Sequence, residues 1–294
     1  MGWRGNVAAT RDFGLFGMLA AVVAWAPAKA SAQVRPAAPS ACKAEVFATG
    51  AVATVMDGRS FTLDDGRDIR LAGIEVPLPP APGETGAAAE AGLAASRASL
   101  AELASLVAGQ SLELRQIRDA PPDRYGRILA FAYAQRDGVP LSVANEMLAR
   151  GFARVAAQVG GVGGDKACAA ELLGKERLAR DGKLGLWGAA YYAVTGAERL
   201  AELEAERGRF TVVEGKVSSV RESGGTIYVN FGRRWSQALT VTISKRNERT
   251  FAAAGLDLRR LENRRVRVRG WVEERSGPRI EATRPEQIEI AERN

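Results

Sequence analysis

Charged side chains that could act on a phosphate group are concentrated in a few short stretches of the sequence. Arg59, Arg70 and Glu75 fall within residues 55–78, and Arg127 follows after a long helical pattern. Guanidinium groups bind phosphate through paired hydrogen bonds, whereas carboxylates hold hard cations or activate water. Because the chain contains no histidine, acid–base chemistry would depend on carboxylates, tyrosine, water or a metal ion.

Strand and helix patterns indicate how these residues are positioned. Two apolar runs flank Asp65-Gly66, a dipeptide that favours a tight hairpin because glycine tolerates a positive φ. The periodicity of the apolar residues predicts helices at 87–108, 143–150 and 167–180 and strands at 111–117 and 128–133. The predicted order is three strands, a helix, two strands, a helix and a final helix.

Four motifs in this order resemble those of the staphylococcal-nuclease (thermonuclease) family. They are the Asp57-to-Pro77 segment, Asp123-Arg-Tyr-Gly-Arg127, the helix around Asn145, and Leu184-Gly-Leu-Trp187. The resemblance covers about Cys42 to Gly188 and implies a mainly β, α+β fold: a five-stranded OB barrel with three helices. It also implies a calcium-dependent phosphodiesterase site with two aspartates, a glutamate that positions or activates water, and two arginines.

The phosphate-binding half of that site is retained in this sequence. By resemblance, Arg70 and Arg127 match the two arginines that stabilise charge on the phosphate. Tyr125 matches a tyrosine that contacts the phosphate, and Asp57 matches the first aspartate of the turn, which is mainly structural. With Arg59 added, the arginines would form an anion-binding pocket that needs no metal.

The metal-binding half is replaced. Arg59 stands where the first metal-binding aspartate is expected, Glu75 replaces the second, and Leu78 replaces the glutamate. A cation roughly 4 Å from the metal position would lower calcium affinity by several kcal/mol. Leucine cannot orient or activate water. Glu75 remains the candidate metal ligand.

The favoured hypothesis is a binding protein. The pocket of Arg59, Arg70, Tyr125 and Arg127 would hold nucleic acid or another phosphate-bearing polyanion, without calcium-dependent hydrolysis and without a cofactor. This interpretation uses only the residues that the site has kept.

Two alternatives remain open. One is an active secreted endonuclease that uses calcium, with Glu75 as a ligand and a loop acid such as Glu84 in place of the missing base. The other is a structural envelope protein in which the arginines form salt bridges with Glu75 or Asp57.

The C-terminal part predicts a second domain. Period-2 alternation predicts strands at 211–220, 226–231, 239–243 and 265–272. With an inserted helix at 245–254, this pattern favours a second small OB-like barrel. The expected domains are a nuclease-like domain at 42–190, a helical connector at 191–208 and a basic OB-like domain at 209–294.

Positive charge is concentrated in this second part. From Glu206 onward the chain has 19 basic and 12 acidic residues, an excess that equals the net charge of +7 of the whole chain. A basic barrel with Arg233-Arg234-Trp235 beside a strand containing Tyr228 suits polyanion binding. An ordinary solvated surface is the alternative, since Arg265, Arg267 and Arg269 alternate outward. Anionic lipid or cell-wall polymers are further candidate partners.

The N-terminus and the cysteines indicate export. Residues 1–32 have a basic start, a 13-residue apolar segment and small-residue cleavage sites, which predicts a signal peptide followed by a linker at 33–41. A membrane anchor is the alternative, although this segment is short for a span of roughly 20 residues. Cys42 and Cys168 are expected to form a disulfide in the periplasm or outside the cell. Otherwise, Cys168 is simply a small buried helix residue.

Overall fold

The computed structural model describes residues 1–2, 40–42, 44–116, 120–157, 166–234 and 237–291. The predicted signal peptide and linker lie almost entirely outside the described residues. Contacts divide the chain into Met1–Pro36 and Ala37–Asn294, and the second unit contains every element described below. Among the described residues, no helix is both long and apolar enough to cross a membrane.

The first half of the Ala37–Asn294 unit contains a closed five-stranded barrel. Its elements are β1 (Glu45–Asp57), β2 (Ser60–Leu63), β3 (Asp68–Leu71), β4 (Ile74–Glu75), α1 (Ala87–Val107), β5 (Ser111–Gln116), β6 (Ile128–Arg136), β7 (Val139–Ser142), α2 (Val143–Ala149), β8 (Arg154–Val155) and α3 (Lys166–Asp181). The strands are hydrogen-bonded in the order β3-β2-β1-β5-β6, and a parallel β3–β6 pairing closes the barrel. This arrangement confirms the predicted OB-type fold with three helices.

Alternation along the strands places large apolar side chains inside this barrel. Phe61, Leu63, Ile69 and Leu71 are at most 1% exposed, and burial of each such side chain contributes about 1.5–3 kcal/mol. The predicted turn between β2 and β3 is confirmed, with Gly66 at a φ of +84°. Ser60 pairs with Asp57 and with Arg70, so the end of β1, the start of β2 and the end of β3 lie together at one end of the barrel.

The second half contains a barrel with the same strand order. Its elements are β9 (Thr195–Gly196), α4 (Leu200–Ala205), β10 (Phe210–Lys216), β11 (Ser219–Ser223), β12 (Thr226–Asn230), β13 (Thr240–Ser244), α5 (Glu248–Ala253), β14 (Arg265–Glu274), β15 (Pro278–Glu281) and β16 (Ile288–Ile290). The strands pair in the order β11-β12-β13-β15-β14-β10, with β13 and β15 parallel. Only Val217 and Ser218 separate β10 from β11, so the path returns to its start. When β10 and β11 are counted as one strand, the order matches that of the first barrel, as in an OB-like fold.

The connector between the barrels is less helical than the sequence predicts. Only Leu200–Ala205 forms an α-helix, and Thr195–Gly196 pairs in parallel with β10. Ala197 is 1% exposed and its N–H donates to the carbonyl of Glu214 at 2.9 Å. Contact with the edge of the second barrel therefore keeps this part of the chain extended. The domain bounds stay a prediction, because both barrels belong to one compact unit.

The first barrel covers part of the outward face of β14, at Arg269. The alternative interpretation of the basic residues was a solvated surface on which Arg265, Arg267 and Arg269 alternate outward. This is wrong for Arg269, whose side chain is fully buried. Its guanidinium binds both carboxylate oxygens of Glu176 on α3, at 2.6 and 3.1 Å. Periodicity assigns a residue to a face of the strand, but it does not show what packs on that face.

An ionic group lies between the barrels, with Glu176 and Arg269 fully buried and Arg180 and Glu289 partly exposed. We call these four side chains the interface cluster: Glu176, Arg180, Arg269 and Glu289. Arg180 donates to Glu176 at 2.8 Å, and Glu289 pairs with Arg269. The N–H of Val155 also donates to Glu176, at 2.6 Å. The interface cluster thus joins α3 of the first barrel to β14 and β16 of the second.

The predicted disulfide between Cys42 and Cys168 is confirmed. It fixes the segment before β1 to α3, and the N–H of Ala41 also donates to Glu171 on that helix at 2.6 Å. The cysteines are 126 residues apart, so the link removes about 4–5 kcal/mol of chain entropy from the unfolded state in the loop-closure model. Such a bond fits a protein outside the cytoplasm.

Candidate functional site

The structure brings the predicted site residues together at one end of the first barrel. Arg59, Arg70, Arg127, Glu75 and Tyr125 line a pocket of about 600 Å³. We call the three arginines and the three carboxylates around them the arginine cluster: Arg59, Arg70, Arg127, Asp57, Glu75 and Asp123. The pocket is also lined by Leu78, Arg124 and Trp271.

Arg59 is positioned by the turn between β1 and β2. The carboxylate of Asp57 accepts a hydrogen bond from the Arg59 N–H at 2.8 Å, which stabilises the turn. Gly58 packs directly on α1, where a Cβ would lie 2.6 Å from Cβ of Ser99. The turn therefore requires glycine here, and this close contact directs the Arg59 side chain into the barrel end, where it is 6% exposed.

The carboxylate of Glu75 is shared by two guanidinium groups. One oxygen forms an ion pair with Arg59, and the other accepts from Nη2 of Arg70 at 3.0 Å. Glu75 lies on β4, which pairs with β8, and it is 8% exposed. Both oxygens of the candidate metal ligand are thus already engaged by cations.

Asp123 holds Arg127 in a tight loop. Its carboxylate accepts from Nε of Arg127 at 2.8 Å and from the N–H groups of Tyr125 and Arg127 at 2.9 and 3.1 Å. Gly126 adopts a φ of +80°, which the loop needs for this geometry. Burial acts to raise the pKa of Asp123, but the hydrogen bonds from Arg127 and Tyr125 outweigh it and lower that pKa. Asp123 is therefore a weak proton acceptor.

Mutual repulsion affects the arginines of this pocket. Burial, followed by the charge of Arg70, lowers the pKa of Arg59 to about 10. Burial and the charge of Arg127 also lower the pKa of Arg70. Arg59 still carries its positive charge at neutral pH, and an added anion would reduce the repulsion.

Tyr125 lies at the rim of the pocket and is 65% exposed. The guanidinium carbons of Arg124 and Arg127 lie 4.7 and 5.2 Å from the centroid of its ring, and Arg124 donates to its hydroxyl at 2.7 Å. An exposed aromatic ring in contact with two guanidinium groups is a suitable contact surface for a nucleotide.

Calcium does not fit the groups present here. Glu75 is occupied by two arginines, and Leu78, 42% exposed at the pocket, offers no oxygen ligand. Within the part of the chain that the structure describes, no three acidic, cysteine or histidine side chains converge on one point. Glu84, the acid considered as a substitute base, instead accepts from the N–H of Ala81 and pairs with Arg209 at 3.5 Å. It does not line the pocket of the arginine cluster.

Three residues that line the pocket were not predicted as site residues: Asp123 and Arg124, which lie in the same motif as Arg127, and Trp271. Trp271 lies on β14 of the second barrel, almost 150 residues after the last of the other pocket residues, yet it lines the same space. The signal was present in the alternation of β14, because Trp271 falls on the polar face with Arg267 and Arg269. A large aromatic residue on a polar strand face indicates either a contact with another domain or a ligand surface.

Residues 68–189 match the family model of staphylococcal nuclease homologues. A search of curated proteins found no match to the chain. The matched segment contains Arg70, Glu75, Tyr125 and Arg127, and such a match fits nucleic-acid binding or hydrolysis. Together with the closed five-stranded barrel, it shows that the chain carries a staphylococcal-nuclease-like domain.

Proposed function

We propose that the protein binds nucleic acid, or another phosphate-bearing polyanion, at the arginine cluster and does not hydrolyse it by a calcium mechanism. The observation that carries this proposal is the ion pair between Arg59 and Glu75. It places a cation on the carboxylate that would have to hold the metal. Phosphate binding needs only the guanidinium groups, which are present.

Two guanidinium nitrogens are available to a phosphate oxygen. Nη1 of Arg70 lies 3.6 Å from Asp123, beyond normal hydrogen-bond length. Nη1 of Arg127 lies 3.3 Å from the hydroxyl of Ser60 and 4.0 Å from Asp57, so it is only loosely held. An incoming phosphate could accept from both nitrogens without breaking the short ion pairs of the cluster.

Charge supports binding of moderate strength. Three carboxylates balance the three arginines of the cluster, and Arg124 at the rim adds one positive charge. The second barrel contributes the basic excess of the chain, with Arg233 and Arg234 exposed, while Trp235 lies outside the described residues. We therefore expect an affinity that falls steeply as the salt concentration rises.

The endonuclease alternative has less support from the geometry. It requires Glu75 as a metal ligand and Glu84 as a base, and both carboxylates are engaged by arginines. The structural alternative, in which the salt bridges are the whole role of the arginines, is an outcome of the test below.

We further propose that the protein is exported to the periplasm or the medium, and that its domains are 42–190 and 209–294. The signal pattern of residues 1–32 and the Cys42–Cys168 disulfide support export. The repeated strand order supports the two domains.

Anisotropy of labelled single-stranded DNA and RNA, measured in chelator over a range of salt, tests the binding proposal. We expect salt-sensitive binding that Arg70→Ala/Arg127→Ala weakens about tenfold or more, since charged hydrogen bonds contribute about 1.5–3 kcal/mol each. Arg67→Ala is the matched control, because Arg67 pairs with Asp65 at 2.6 Å in an exposed turn outside the pocket. Binding that is absent, or equal in the double variant, would favour the structural alternative.

A further inference from the structure

An exposed indole of the second barrel lies beside the arginine cluster. Trp271 is 37% exposed and lines both the pocket of that cluster and a second cavity of about 310 Å³. Glu75 and Leu78 also line both spaces. The two spaces are therefore neighbours, and Trp271 lies where they meet.

A short series of contacts fixes the position of this indole. Trp271 is the cross-strand partner of Phe210, and their rings meet edge to face with centroids 5.9 Å apart. The carbonyl of Phe210 accepts from Nη1 of Arg154 at 2.7 Å. Arg154 is in turn the β8 partner of Glu75 on β4. The orientation of Trp271 is thus tied to the strand that carries Glu75.

The second cavity has the size and lining of a small-ligand site. It lies between the loop that follows β4 and the start of β10, and its walls include Pro77, Pro79, Tyr191 and Tyr192. A volume of about 310 Å³ is at the lower end of the range for small-ligand pockets. Charged side chains, among them Glu84, Glu206 and Arg209, also line this cavity. Its proline and aromatic walls are suited to a flat, uncharged ring attached to a phosphate.

We propose that Trp271 stacks on a base of a single nucleic-acid strand whose phosphate is held by the arginine cluster. This inference rests on the proposed function and names its ligand class: a strand that carries bases, rather than any polyanion. Each base has a π face, so stacking on an exposed indole tolerates different sequences. The second barrel would then complete the binding site of the first.

The test compares two oligomers of equal length and charge, oligothymidylate and its abasic analogue, in chelator at one salt concentration. Loss of one stacked base is expected to weaken binding about tenfold. Trp271→Ala of the full chain should therefore weaken oligothymidylate binding by that factor and leave abasic binding unchanged, with Trp271→Phe in between. Phe47→Ala is the matched control, because Phe47 is 36% exposed and lines neither cavity; it should bind both oligomers like the parent.

The outcomes separate this inference from the proposed function. If Trp271→Ala binds both oligomers like the parent, or loses both equally, the stacking role is wrong while salt-sensitive binding still supports the arginine site. If neither the parent protein nor any variant binds either oligomer, the proposed function is wrong as well. If Trp271→Ala does not fold, tryptophan fluorescence provides the test. Oligothymidylate should quench the fluorescence of the parent protein. Loss of that quenching in Trp271→Phe supports stacking, whereas equal quenching in the two proteins overturns it.

Discussion

The arginine cluster and the interface cluster contain the same chemical groups in different surroundings. In the interface cluster, Glu176 and Arg269 have no exposed side-chain surface. In the arginine cluster, the side chains of Arg70 and Arg127 are 24% and 17% exposed and face a pocket. Groups that are buried and paired with one another stabilise one arrangement of the chain, whereas partly open groups that face a pocket remain available to a ligand.

The pKa of Arg269 in the interface cluster shifts in the opposite direction to the pKa values of Arg59 and Arg70, although burial and the charge of Arg267 lower the pKa of Arg180. Burial alone would lower the pKa of Arg269, but Glu176 and Glu289 outweigh it and raise that pKa. The pKa values of Arg59 and Arg70 are instead lowered by burial and by neighbouring arginines. Two glutamates therefore bind Arg269 directly, whereas Arg59 and Arg70 also lie close to other arginines, and a further anion would reduce that repulsion. This difference is the physical basis for assigning a structural role to one and a binding role to the other.

The largest effect is expected from breaking the interface cluster. Glu176→Gln leaves the buried Arg269 without its bidentate partner, and loss of one partner of a buried ion pair costs about 3–5 kcal/mol. Urea unfolding should show that loss in the free energy of unfolding. Glu146→Gln, which alters the partly exposed pair with Arg150, is the control and should change it little. Equal effects of the two substitutions would show that the interface cluster is not a stabilising contact.

A second prediction concerns the pH dependence of that stability. Burial acts to raise the pKa of Glu176, but Arg269 outweighs it and the pKa lies below its ordinary value near 4.5. A lowered folded-state pKa gives stability that is present above about pH 4.5 and is lost as the pH falls through the folded-state value. Burial raises the pKa of Glu206. Protonation of Glu206 as the pH falls therefore favours the folded state, which opposes the loss of stability caused by Glu176.

Unfolding midpoints measured over a pH series separate these contributions. Glu176→Gln should flatten the loss of stability in acid, and Glu206→Gln should steepen it. If neither substitution alters the slope, the two carboxyl groups do not have the assigned surroundings. Both measurements are independent of any ligand.

A smaller effect is expected when a carboxylate is removed from the arginine cluster. Asp123→Asn keeps an oxygen acceptor for the loop but removes one negative charge beside Arg70 and Arg127. Affinity for single-stranded DNA should rise about fivefold, corresponding to ~1 kcal/mol at partly exposed sites. Removing a carboxylate thus improves binding here, whereas it destabilises the interface cluster. Weaker or unchanged DNA affinity in this variant would contradict the assignment of a binding role to the arginine cluster and a structural role to the interface cluster.

The scaffold could be predicted from the sequence because its signals are local. Asp65-Gly66 predicts the hairpin, and the alternation of apolar and polar residues predicts which face of each strand is buried. The order of the four motifs predicts the barrel. The gathering of Arg59, Arg70 and Arg127 was predicted by resemblance, and the structure brings these three together. The disulfide was predicted from the even pair of cysteines together with the export signal.

The remaining features depend on long-range packing. Arg269 looks solvent-exposed in the sequence, since nothing near it shows that α3 supplies Glu176 to pair with it. Trp271 joins the pocket only because the second barrel packs on the first. The double pairing of Glu75 with Arg59 and Arg70 likewise requires coordinates, because sequence spacing does not show which guanidinium reaches which oxygen.

The central claim is that Arg59 occupies the carboxylate that would have to hold calcium. It is tested most directly by cleavage of single-stranded DNA and RNA, with calcium and with chelator. The parent protein should give no calcium-dependent product. The combined variant Arg59→Asp, Glu75→Asp and Leu78→Glu restores the oxygen ligands and the base, and it should gain cleavage that chelator abolishes. Calcium-dependent cleavage by the parent that disappears in Arg70→Ala/Arg127→Ala would contradict the account and establish an active nuclease.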